Sequence, residues 1–162
     1  MTTNTRGTAS AADDRFTNRA LSLAAWAYLA GMGVHAIDHL FRGITGSDET
    51  ASWPGSLQVA LSAVAVGLPV ATLLFVRTGH RRAPLVATVV GLGSAVVFFT
   101  LHVLPSWAPF TDSFIGAEEG ARVTPYSWVT AALGIGGASA LGLAGAIVLC
   151  AAARARRWGE DL

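Results

Sequence analysis

The chain has 162 residues, of which 52% are hydrophobic and only 13% charged, about half the charge of an ordinary soluble domain. A net charge of +1, with no basic stripe interleaved with aromatics, excludes a nucleic-acid-binding module. The single cysteine, Cys150, excludes an intramolecular disulfide.

Residues 1–12 are rich in Thr, Ser, Ala and Gly, and residues 1–19 are expected to form a flexible cytoplasmic segment. Four apolar runs follow, over residues 20–41, 57–76, 83–104 and 128–153. Each matches the roughly 20 residues that a helix needs to cross about 30 Å of hydrocarbon. The first run is longer than the apolar core of a secretory signal and follows the acidic pair Asp13-Asp14, so it reads as a retained span. The predicted fold is an all-α, integral membrane four-helix bundle over residues 20–157, followed by a short cytoplasmic tail, 158–162.

Arginines orient this bundle. Arg6, Arg15 and Arg19 precede the first span; Arg77, Arg81 and Arg82 fill the turn between the second and third; Arg154, Arg156 and Arg157 follow the fourth. The opposite loops hold only Arg42 and Arg122 against Asp48, Glu49, Asp112, Glu118 and Glu119. The positive-inside rule therefore places both termini in the cytoplasm of a plasma-membrane protein, with Trp53, Trp107 and Trp128 at the outer interface. Gly134, Ala138, Gly142 and Ala146 recur every four residues, a smooth surface for close packing within the bundle or against another chain. Pro69 is expected to kink the second span.

Within these apolar runs lies the segment His35-Ala36-Ile37-Asp38-His39-Leu40-Phe41-Arg42. Ionisable side chains at membrane depth are costly and mark functional positions. Spacings of three and four put His35, Asp38 and His39 on one helical face, with Arg42 continuing the stripe. At about 1.5 Å per residue, His35 and His39 lie roughly 21 and 27 Å into the first span, and His102 roughly 25 Å into the parallel third span. Gln58, Ser62, Tyr126, Ser127 and Thr130 belong to the same outer layer. The candidate metal ligands are therefore His35, His39, His102 and Asp38, with Asp38 also the candidate catalytic carboxylate. Arg42, Gln58 and Tyr126 are expected to surround and orient them.

Imidazoles with a carboxylate suit zinc, copper or iron rather than calcium or magnesium. Four other readings fit the same residues: a b-type haem held between parallel helices, a proton or quinone relay, a purely structural network built on Asp38–Arg42, or a non-catalytic accessory subunit docking through the small-residue face of the fourth span. The acidic loop containing Asp112, Glu118 and Glu119 reads as solvated, or as a funnel attracting cations toward the site.

Overall fold

The computed structural model describes residues 6–42, 55–105, 112–115 and 123–160. It is all-helical: α1 spans Arg6–Arg42, α2 Gly55–Arg77, α3 Ala83–His102 and α4 Pro125–Glu160. Three of these helices are long and apolar enough to cross a membrane, within Thr17–Arg42, Ala83–His102 and Pro125–Arg157. The apolar part of α2, Ala63–Arg77, is shorter. Helix α1 begins at Arg6, ahead of the first apolar run.

Local chemistry sets the ends. Gly79, at φ +62°, closes α2: its N–H donates to the Val76 carbonyl at 3.1 Å, and His80 N–H donates to Phe75 at 3.1 Å. This paired pattern is a Schellman cap, which needs a residue that tolerates a left-handed backbone. Pro84 sits in the first turn of α3, and Pro125 opens α4, where a missing N–H costs nothing. Helix α2 continues through Pro69, which is fully buried, and Thr72 donates to the Leu68 carbonyl one turn away.

Helix α4 packs along both α1 and α3, and α2 lies against α1 and α3 on the opposite side. The buried stripe of α1 runs Leu21, Ala25, Tyr28, Met32 and then His35, Asp38, Arg42. That of α3 runs Ala83, Ala87, Gly91, Phe98 and then His102. The interior is thus apolar at one end and polar at the other. The polar end is where α1 and α3 finish and α4 begins.

Glycines bring these helices together. A Cβ on Gly31 would lie 2.7 Å from the Leu133 carbonyl oxygen, and one on Gly137 would lie 2.8 Å from Tyr28 Cα. Gly91 meets the Gly142 backbone and lies within 2.7 Å of the Ala138 oxygen on the same measure. Gly134, Ala138 and Gly142 are therefore buried in contacts between helices of this chain. Gly91→Ala must separate two backbones and should destabilise by about 1–3 kcal/mol. Gly93→Ala, with open space at that position, should be neutral or stabilise by up to about 1 kcal/mol. Melting temperatures of the two variants check this. Equal behaviour would mean that the α3–α4 approach is looser than described.

Candidate metal centre

At the polar end, three imidazoles from two helices meet nitrogen to nitrogen. His35 Nε2 stands 3.0 Å from His39 Nε2 and 3.2 Å from His102 Nε2. One nitrogen from each ring lies within 4.8 Å of the others, a grouping that could hold a metal ion. His35 and His102 are 3% and 4% exposed, whereas the His39 side chain is 26% exposed. Phe98 lies beside His35 and His102, its ring centroid 5.2 and 5.5 Å from theirs.

The partners of the opposite ring nitrogens decide where the protons are. His102 Nδ1 faces the Asp112 backbone carbonyl at 3.0 Å, and a carbonyl can only accept. His35 Nδ1 faces Thr130 Oγ1 at 3.3 Å. The Thr130 hydroxyl proton is already donated to the Ser127 carbonyl at 2.9 Å, so Thr130 accepts from His35. In its neutral form each of these rings is therefore the Nδ1–H tautomer, with the two Nε2 lone pairs facing each other across 3.2 Å. A cation could sit between them.

Asp38 does not join the nitrogens. Its Oδ2 accepts from Arg42 Nε at 2.9 Å and its Oδ1 from Ser127 Oγ at 2.9 Å. Both oxygens are thus bonded to other groups, and the metal-capable grouping is His35, His39 and His102. Arg42 in turn holds Asp112 with both terminal nitrogens, NH1 donating to Oδ1 at 2.9 Å and NH2 to Oδ2. Asp112 Oδ2 also stands 3.5 Å from His102 Nδ1 and 3.7 Å from His39 Nε2. Two carboxylates share one guanidinium beside three imidazoles, so the surroundings carry an excess negative charge.

Asp112 is thus built into the site rather than belonging to a solvated loop. Segment 112–115 straps across it: Phe114 N–H donates to the His102 carbonyl at 2.9 Å, and the Phe114 ring lies against His102, Arg42 and Trp128. Burial pushes the Asp112 carboxyl up, but hydrogen bonds from His102 and Arg42 and the guanidinium charge outweigh it, holding the group well below the usual carboxylate range. A depressed folded value adds stability that is complete above the unfolded value of about 3.9 and lost as pH falls through the folded one. The Arg42–Asp112 link therefore stays intact at physiological pH.

Arg42 is buried beside the imidazoles, Tyr126 is 48% exposed, and Ser127 and Thr130 occupy the inward face of α4. The Gln58 and Ser62 side chains and Trp53 and Trp107 lie outside the described residues. The sequence placed Asp112 only in an acidic loop, solvated or steering cations toward the site, because a loop residue has no helical period to betray its direction. Comparisons with protein-family models, curated proteins and solved structures find no match to this chain.

Proposed function

We propose that this is an integral membrane protein that binds one transition-metal ion, zinc, copper or iron, through Nε2 of His35, His39 and His102 near the non-cytoplasmic face. The facing lone pairs of His35 and His102 carry this reading. Nitrogens about 2.0–2.1 Å from one tetrahedral ion stand roughly 3.3–3.4 Å apart, close to the 3.0 and 3.2 Å between these rings. The Nδ1–H groups donate to Asp112 and Thr130, as the second nitrogen of a metal-bound histidine usually does. A shared proton would bridge only one nitrogen pair at a time, whereas an ion joins all three.

Haem fits less well. Axial nitrogens on opposite faces of a haem iron stand about 4 Å apart, twice a metal–nitrogen bond, with the macrocycle between them. Here the facing nitrogens stand only 3.0 and 3.2 Å apart, with Phe98 beside them. The polar network on Arg42 is well satisfied by itself, yet it leaves the His35–His102 face uncompensated, so structure alone does not account for the histidines.

Cobalt(II) titration of the purified protein in detergent tests the proposal. One equivalent should raise visible bands of a nitrogen-rich, low-coordinate ion, and zinc should abolish them. No bands, with cobalt left in the buffer, would sink the metal reading. Arginine placement supports cytoplasmic termini. In a Cys150→Ala background, Ser113→Cys should react with an impermeant reagent added outside intact cells; reaction only after permeabilisation would invert the topology.

A further inference from the structure

We propose that the ion held by His35, His39 and His102 keeps one coordination position free on the His39–Asp112 edge, and that Asp112 tunes this position for small neutral ligands, solvent foremost, over anions. The inference rests on the metal reading above and adds a ligand class to it. Among the described residues the grouping contains three protein ligands and no fourth. Zinc-type ions take four, and sites with three protein ligands leave the last position to solvent or substrate.

Among the described residues the surroundings leave one edge for that position. Thr130 backs His35 from α4, Phe98 lies beside His35 and His102, and Phe114 covers His102 with its ring centroid 5.1 Å away. The exposed members are His39, at 26%, and Asp112, at 22%, and their facing atoms stand 3.7 Å apart. A ligand entering between them touches a carboxylate. Arg42 cannot neutralise that edge fully, because it also serves Asp38 at 2.9 Å. An anion there meets repulsion, while a neutral ligand with an O–H or N–H meets an acceptor.

The full-length cobalt(II) protein, titrated with azide and with imidazole and read by its visible spectrum, tests this. Imidazole should shift the bands of the wild type, and azide should bind Asp112→Asn roughly tenfold or more tighter than wild type. Asp38→Asn removes the same charge from a carboxylate already bonded to Ser127, and should tighten azide binding far less. Equal azide affinity in wild type and Asp112→Asn overturns the proposal. So does cobalt that is bound but unresponsive to both ligands, since the centre is then closed. Should Asp112→Asn fail to fold, the wild type decides: azide binding as tightly as imidazole contradicts the proposal, and a response to imidazole with markedly weaker azide binding sustains it. Cobalt that never binds the wild type removes the metal reading itself, and the ligand preference with it.

Discussion

Arg42→Gln should be among the most destabilising single substitutions in this protein, costing about 3–5 kcal/mol. It leaves two carboxylates, Asp38 and Asp112, facing each other's surroundings without the guanidinium that now bonds both. Removing one partner from a buried ion network costs about that much because the remaining charge is uncompensated. At about 2–4 °C per kcal/mol, the melting temperature should fall by roughly 6–20 °C. Asp38→Asn should be far milder: the amide can still accept from Ser127, and Arg42 keeps Asp112. The double variant Asp38→Asn, Arg42→Gln should recover part of the loss, since it deletes one stranded charge. Circular dichroism melts of the three proteins check the ordering. Equal losses for Arg42→Gln and Asp38→Asn would show that Asp112 takes no share in the network.

His35→Ala should have the largest effect on metal affinity. Its Nε2 is the nitrogen in contact with both other rings, so its loss leaves His39 and His102 without their common neighbour. The expected loss exceeds the roughly 10–100-fold typical of removing an outer hydrogen-bond partner. Thr130→Val makes the finer test. It keeps the shape while deleting the oxygen that accepts from His35 Nδ1, freeing the ring to swap tautomers. Affinity should fall about 10–100-fold, with the protein still folded. Competition against a chelator of known affinity measures both. An unchanged affinity in Thr130→Val would contradict the proton assignment on which the facing lone pairs depend.

Much of this architecture was legible in the residues themselves. The apolar runs marked the helices, although α1 extends well before its apolar run and α4 well beyond, because polar helix carries no hydropathy signal. Spacings of three and four put His35 and His39 on one face, and depth counting matched His102 to them. The same spacing put Asp38 on the stripe but could not show that it bonds Ser127 of α4. Which side of a stripe faces which neighbour is decided by packing, and the packing follows from glycine contacts between helices that no single run displays. Tyr126 and Ser127 are adjacent in sequence and about 100° apart on the helix, so depth alone could not choose between them. Only the small-residue stripe running from Ser127 through Gly134 and Ala138 identifies the inward face.

Metal content with an absorbance scan of the purified protein tests the central claim most directly. After incubation with zinc, copper and iron salts and removal of excess, the wild type should retain about one ion per chain with no Soret band. His35→Ala should retain essentially none. Protein free of metal under every condition, with a melting temperature unmoved by any of the three ions, would contradict the account, and a Soret band at one haem per chain would replace the bare ion with a macrocycle.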